Sequence, residues 1–549
     1  MPVSRQQKAL SIMIKRKLYL VHRWLGVAMS LFFLMWFVSG VVMMYMPFPS
    51  LSSQERLSSL PNLSENTVLT GPYALMKKVG AENIDQLRLT TFLARPVYFL
   101  KTTENEFYGV FADNGEVIPK VTSSIALRIA QVFNQNKQVN ENENANTSSD
   151  QPLVLIEKIV DIDQWTVSGG LDPHRPFYKV NVDDDEGTHL YVSIKSGEVV
   201  RDTSRRERFW NWLGANLHWI YPVQLRKHPS VWHWVVVILS FFGVVSVLTG
   251  SVIGLMRLRL KKRYRGKDVT PYKGSGKYHH ILGLVCCTFL FSYMFSGLLS
   301  MNPFGVFSSD VQCEINEGLY SGTLALDNPS LSLSNIQKIL KHHKDLKEID
   351  FYQVADKVFP LGAFTAGQTL LNPINNDRLF THIESTVKEA INHCTPNATV
   401  EQVIKLEKYD SYYYSHHGAE KSLPVYRFKV SDSEKTYIYI NAVTGKWVMA
   451  NHTKRRVQRW LFNGLHSLDF LFLIERRPLW DVSVILLCVL GTLMSLTSVV
   501  IGSRRLYTRV RKNQRSHLNR TYDAALKKMS VSYIKRKSIT LIKRDSNLP

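Results

Sequence analysis

The chain has 549 residues, with 68 Lys and Arg against 45 Asp and Glu, a net charge of +23 and a pI near 9.6. So basic a balance suggests nucleic acid until the charge is located: 28 of the Lys and Arg, against three Asp, lie in residues 1–17, 257–277 and 503–549, and the remainder carries a net −2. Those three segments border long apolar runs, so the charge is a topology signal and a nucleic-acid partner is excluded.

In chain order, residues 1–17 read as a basic cytoplasmic N-terminus and 18–46 as a first transmembrane helix, longer than the about 20 residues a span needs. The "YMPFPS" that follows offers no small-residue cleavage site, so the run is an anchor and not a removable signal. Residues 47–205 form a first outer region and 206–222 an interfacial helix. A second span (231–256), a basic cytoplasmic loop (257–277) and a third span (278–301) follow. Residues 302–453 form a second outer region, 454–470 a second interfacial helix, 479–502 a fourth span and 503–549 a basic cytoplasmic tail. Basic flanks stay inside, which places both termini in the cytoplasm and both large loops in the periplasm, across a cytoplasmic membrane. Cys286, Cys287 and Cys488 fall in spans and serve as small apolar residues. Cys313 and Cys394 share the second outer region, where an oxidising compartment permits pairing without requiring it.

An internal repeat organises these elements. A shift of 248 aligns Pro176 with Pro424 and runs without a gap to Leu258 and Leu506, matching Arg208 to Arg456, His218 to His466, Trp232 to Trp480 and Gly254 to Gly502. A shift of 257 aligns the first and third spans, matching His22 to His279, Gly26 to Gly283 and Ser39 to Ser296. The expected fold is a membrane bundle of four transmembrane helices in two parallel repeats related by an axis along the membrane normal. The outer regions are expected to be α+β modules. Three stretches beginning "RPVYFL", "RPFYKV" and "LPVYRF" each give two alternating strands around a polar turn and then a short strand after Gly. The polar segment from Asn134 to Asp150 reads as a flexible linker.

The strand pattern resembles the PepSY domain, and "VHRWLGV" resembles the PepSY-associated transmembrane helix. "YDSYYYSHHGAEKSLPVYRFKV", "RWLFNGLHSLDF" and "RRPLWDVSVILL" are similar to PepSY-containing, iron-regulated membrane proteins. The resemblance covers most of 18–506 and is weakest over 302–400. It implies kinship with inner-membrane siderophore reductases that carry b-type haem, and equally with members of no assigned activity.

Ionisable residues in spans mark cofactors or pathways. Asp481, at a helix start, is the only acidic residue in the four spans, which counts against an ion-coupled transporter. The spans instead have histidines at their ends. His22 and His279 lie at the cytoplasmic end, and His218 and His466 at the outer end. An apolar layer of roughly 30 Å separates the two levels, so the pairs must form within each level. Histidine is a usual axial ligand of haem iron. Two bis-histidine haems b, one on His22 and His279 and one on His218 and His466, fit the repeat, with His280 an alternative inner ligand. Gly26 and Gly283 would admit a flat macrocycle near the backbone, and Arg208 and Arg456 would pair with its propionates. The competing reading is of histidines that merely suit the headgroup zone. His228 and His233 have no histidine counterpart in the repeat. His342, His343, His416 and His417 read as solvated, and Trp212, Trp219, Trp232 and Trp234 as an interfacial belt.

The expected function is electron transfer through the bilayer to ferric iron or a ferric siderophore on the outer side. "KGSGKYHH" lacks the spacing and preceding strand of a dinucleotide fingerprint, so the donor is expected to be a quinol or a separate cytoplasmic reductase. The alternative is a non-enzymatic protein whose PepSY-like modules bind or regulate a peptidase or other periplasmic partner.

Overall fold

In the computed structural model, four helices carry the apolar runs: Arg5–Tyr45, Pro229–Arg257, Ser275–Ser300 and Arg477–Asp545. It describes residues 5–545 apart from 65–68, 82, 105, 142–152, 262–263, 265–267, 355–356, 372–374 and 417–419. Each of the four helices is long and apolar enough to cross a bilayer. The last continues through 503–545, so most of the basic tail extends the fourth span as helix. The chain folds into two units. One is Met1–Phe37, Phe241–Met294 and Leu486–Pro549, and the other is Val38–Ser240 and Phe295–Ile485.

The first unit is helical. Small residues let its helices approach: a Cβ on Gly491 would fall 2.6 Å from the Phe37 ring, and one on Gly254 would fall 2.9 Å from Leu284. Close approach through small residues is the usual means of packing helices in lipid, where burial of apolar surface gives no drive.

The second unit holds the α+β modules. Its strands are β1 (Ile84–Phe92), β2 (Arg95–Thr102), β3 (Phe107–Phe111), β4 (Val154–Val160), β5 (Phe177–Val182), β6 (His189–Ser193), β7 (Val199–Thr203), β8 (Glu348–Val354), β9 (Lys357–Phe364), β10 (Gly367–Leu370), β11 (Val400–Leu406), β12 (Val425–Val430), β13 (Tyr437–Asn441) and β14 (Trp447–Asn451). β4–β7 and β11–β14 form two four-stranded antiparallel sheets of the same order. Tyr178 faces Val192 in one and Tyr426 faces Ile440 in the other, positions 248 apart. Each sheet buries one face on a helix. Val180, Leu190 and Val192 pack on Ala126, Ala130 and Phe133, while Phe428, Ile438 and Ile440 pack on Leu379, Ile383 and Val387.

β1–β3 and β8–β10 do not form separate modules. They share one six-stranded sheet, β10-β9-β8-β1-β2-β3, joined where Leu87 faces Phe351 and Leu89 faces Ile349. These four side chains and Ile336 and Ile339 of the helix Leu333–His342 lie in one core. The stretch of weakest resemblance thus contains a full helix-plus-three-strands unit. The expected linker is corrected in part: the helix Ser123–Glu141 takes up Asn134–Glu141, and Asn142–Asp150 lie outside the described residues. Cys313 and Cys394 are disulfide-bonded, and Cys286, Cys287 and Cys488 are free.

Candidate functional site: two histidine pairs

The outer pair is built by two short helices that end in the same unusual way. Ser204 caps Arg205–Asn211 with a capping box to Glu207. A π-helical turn, Trp212–Asn216, then precedes His218. Thr453–Arg459 runs into a second π-helical turn, Trp460–Gly464, before His466. Two residues past each histidine the backbone turns left-handed, at Ile220 (φ 53°) and Leu468 (φ 54°). A residue with a Cβ is strained there by about 1–2 kcal/mol, and π-turns and such strain cluster at functional sites. The turns are fixed by Trp232 Nε1, which donates to the Trp219 carbonyl at 2.9 Å, and by Trp480 Nε1, which donates to that of Ser467 at 2.7 Å.

His218 and His466 face each other with ring centroids 6.1 Å apart. His218 Nδ1 lies 3.1 Å from Ser39 Oγ, and His466 Nδ1 lies 3.1 Å from Ser296 Oγ. Both serines are buried. The two imidazoles lie over Gly40 and Gly297, where a Cβ would stand at ordinary contact distance, 3.5 Å from each ring.

The inner pair belongs to the helical unit. His22 and His279 have centroids 6.4 Å apart and planes inclined at 32°. His22 Nδ1 lies 3.2 Å from the Ser246 carbonyl and 3.3 Å from Thr249 Oγ1. A carbonyl only accepts, so Nδ1 carries the proton and the Nε2 lone pair is left for a metal. His279 Nδ1 lies 3.2 Å from both Thr497 Oγ1 and Ser498 Oγ. Those hydroxyls already donate to the Met494 carbonyl, at 2.6 and 3.2 Å, so they accept from Nδ1 and select the same tautomer. Orientation of the ligating ring through its other nitrogen is the usual outer support of a metal-bound histidine. Gly250 makes room for His22, since a Cβ there would fall 2.6 Å from the ring. Gly26 and Gly283, one turn after the two histidines, have nothing within 4 Å of such an atom, so space is open beside both rings.

The centroid spacing of both pairs is that of two imidazoles that share one metal ion. With metal–nitrogen bonds of about 2 Å and roughly 1 Å from each nitrogen to its ring centre, two imidazoles on one iron stand roughly 6 Å apart. The spacings are 6.4 and 6.1 Å. Among the described residues, no three or more His, Cys, Asp or Glu side chains converge as a metal site. A macrocycle that brings four donors of its own needs only two.

Other expected residues are placed differently. His280 is buried, its Nε2 donating to the Gly254 carbonyl at 2.9 Å, and the ring that faces His22 is that of His279. Arg208 and Arg456 do not fit the propionate role. Arg208 donates to the carbonyls of Thr203 (2.7 Å) and Gly187 (2.6 Å), and Arg456 to those of Asn451 (2.5 Å) and Lys435 (2.9 Å). These guanidiniums tie each interfacial helix to the sheet before it. His416, expected to be solvated, is 41 % exposed and also stands 2.8 Å from the fully buried carboxylate of Asp469; His417 lies outside the described residues. Sequence reasoning missed Thr249 and Thr497, although both obey the 248 shift. Hydroxyls bonded to their own helix carry no pattern of their own. The second unit also has a cleft of about 620 Å³ in which Phe99, Phe107, Tyr352 and Trp447 stand with Lys101 and Lys446.

Four helices long and apolar enough to span a bilayer, together with sheet-rich α+β modules, define a multi-pass membrane protein. The chain belongs to the family of the PepSY-associated TM region, whose profile matches residues 19–312, more than half its length. Comparison with curated proteins finds no match.

Proposed function

We propose that this is a cytoplasmic-membrane electron-transfer protein in which each histidine pair holds one haem b, and that it reduces ferric iron, presented as a siderophore chelate, on the periplasmic side. The two halves of the chain are read as parallel repeats, each giving one imidazole to each site, with termini and middle loop in the cytoplasm. Haem bound by two imidazoles supplies one-electron transfer at an iron with no position open to oxygen. The chain's part is to hold the rings. Thr249, Thr497 and Ser498 keep a proton on each inner Nδ1, and the glycines beside the rings leave room for a planar group. Electrons would enter from a quinol or a separate cytoplasmic reductase. The outer cleft, of a size usual for small-molecule sites, suits a chelate that combines apolar and charged surface.

The observation that carries this reading is the spacing of the two pairs, 6.4 and 6.1 Å between centroids, in rings whose Nδ1 atoms are already engaged. Its test is anaerobic stopped-flow mixing of the dithionite-reduced protein with a ferric siderophore. The absorption of the reduced haem should decay as the chelate is reduced. A haem-containing protein that stays reduced would contradict the acceptor. A colourless but folded preparation would contradict the haem and return the non-enzymatic reading, in which the modules bind a peptidase or other periplasmic partner.

A further inference from the structure

The helical unit carries a charge that its own acids do not balance. Residues 1–17, 257–277 and 503–549 hold 28 Lys and Arg against Asp268, Asp523 and Asp545. Asp268 is already paired, with Lys277 Nζ at 2.7 Å. Part of this charge stands beside the inner histidine pair. Arg23 directly follows His22 and is exposed. Arg505, on the fourth helix, is near enough to Arg23 for the two charges to oppose each other. Four residues further along, Arg509 lies over the Trp24 ring, 5.0 Å from its centroid. Arg504 Nη1 donates to Ser275 Oγ at 3.4 Å, four residues before His279. Trp24, two residues after His22, is 38 % exposed, and Tyr278, just before His279, is 65 % exposed. Three helices thus bring cations and exposed aromatic rings next to the two histidines.

Orientation in the membrane requires much less than this. Basic residues set topology when they lie within about 15–20 residues of a span's end. Seven of the fourteen Lys and Arg of 503–549 lie beyond Tyr522, itself twenty residues past Gly502. A lipid surface does not account for them either. The fourth helix runs unbroken from Arg477 to Asp545. Between Gly502 and Asp545 no Gly or Pro offers the kink that would lay it on the headgroups. At about 1.5 Å per residue, the stretch from Gly502 to Tyr522 advances about 30 Å along the helix axis, against a Debye length of about 8 Å. Every residue from Ser503 to Asp523 is exposed. The fourth span therefore continues as a positively charged rod, and its base adjoins the charge beside His22.

We propose that this basic surface docks an acidic, water-soluble one-electron carrier, which delivers electrons to the group held by His22 and His279. The proposal rests on the haem reading above and decides between its two donors, against the quinol. A quinol is uncharged and arrives from the bilayer, so it has no use for cations far beyond a span. An acidic protein surface is steered by them before contact and is then held where Trp24 and Tyr278 are exposed. The step is a single electron transfer. The flavin or iron–sulfur centre of the carrier loses one electron, and the ferric iron between the two histidines gains it, with no bond made or broken.

The test uses the full-length holoprotein in nanodiscs of neutral lipid, with a variant combining Arg505→Gln, Arg509→Gln, Arg511→Gln, Lys512→Gln and Arg515→Gln. Stopped-flow absorption follows haem reduction by photoreduced flavodoxin, an acidic flavin carrier, and by menadiol, an uncharged quinol. With flavodoxin the second-order rate constant should fall about tenfold or more as salt rises from about 0.02 to about 0.5 M. At low salt the variant should be slower by a like factor. With menadiol the two proteins should react alike at either salt. Flavodoxin rates indifferent to salt and to the substitutions would overturn the proposal, as would reduction by menadiol and not by flavodoxin. Equal slowing with menadiol would also overturn it, by tracing the effect to the haem site. A variant that keeps the wild-type flavodoxin rate but no longer recruits phosphatidylglycerol vesicles would assign the charge to lipid instead. Should the variant not fold, the salt dependence of the wild type decides alone, and a flat one overturns the proposal. Failure of the underlying reading looks different, because the wild-type protein would then carry no haem to follow.

Discussion

Thr249 and Thr497 stand where a residue must accept a hydrogen bond from an imidazole, and their hydroxyls can do so because each donates its own proton to its helix. Thr249→Val and Thr497→Val keep the shape and remove the acceptor. Loss of such outer support typically weakens metal binding 10–100-fold, so each variant should shed the inner haem faster in a transfer assay while the outer haem is unaffected. His218→Ala and His466→Ala should each disturb the outer haem alone, and His22→Ala and His279→Ala the inner one. The contact of His416 with buried Asp469 makes it a poor control, since its removal leaves a carboxylate wanting a partner. His233, which packs edge-on against Trp234, is the better one. Haem spectra of these four variants, with His233→Ala as the control, check this. Two low-spin haems retained in His466→Ala would remove the outer assignment.

At the scale of elements, the joint sheet depends on a buried charge. Glu348, 1 % exposed at the start of β8, accepts a bidentate pair from Arg56 at 2.6 and 2.7 Å and has Arg88 Nη1 at 3.8 Å. These partners hold its carboxyl below the usual range despite burial. Glu348→Ala should destabilise the outer unit by about 3–5 kcal/mol, because two cations lose a buried partner; thermal unfolding of that unit reads it. A second prediction concerns pH. Burial, with Arg208 and Lys179 nearby, lowers His189 on β6 to about 4, and burial lowers His174. Below the ordinary histidine value the unfolded chain binds more protons than the folded one. The outer unit should therefore lose stability as pH falls from about 6.5 toward 4. His189→Gln should flatten that dependence. A steeper or unchanged slope would assign it to other groups.

The same elements show what was legible. β5 and β12 were readable because "YKVNV" and "YRFKV" alternate apolar and polar residues between polar turns, and β2 because "VYFL" is an uninterrupted run of strand-forming residues ahead of a polar turn. β9, "KVFPLGAF", is buried nearly throughout and carries Pro360 and Gly362, so it has no alternation to read. The junction of β1 with β8 pairs residues some 260 apart, and no local pattern announces it. Both histidine pairs were found through the repeat. Arg208 and Arg456 misled for the same reason: a repeat preserves a helix-to-sheet tie as faithfully as a ligand.

For the whole molecule, the basic segments 1–17, 257–277 and 503–549 should be accessible only from the cytoplasmic side, and Asp183–Glu186 only from the periplasmic side. Cysteine labelling in intact and permeabilised cells checks this; labelling of the tail in intact cells would reverse the orientation and the direction of electron flow. The central claim is that each half supplies one imidazole to each of two haems. Its most direct test is the haem content of the purified wild-type protein by pyridine haemochrome assay, with low-temperature electron paramagnetic resonance of the oxidised form. Two b-type haems per chain with low-spin, bis-imidazole signals are predicted. One haem per chain, a high-spin five-coordinate signal, or a folded protein without haem would contradict the account.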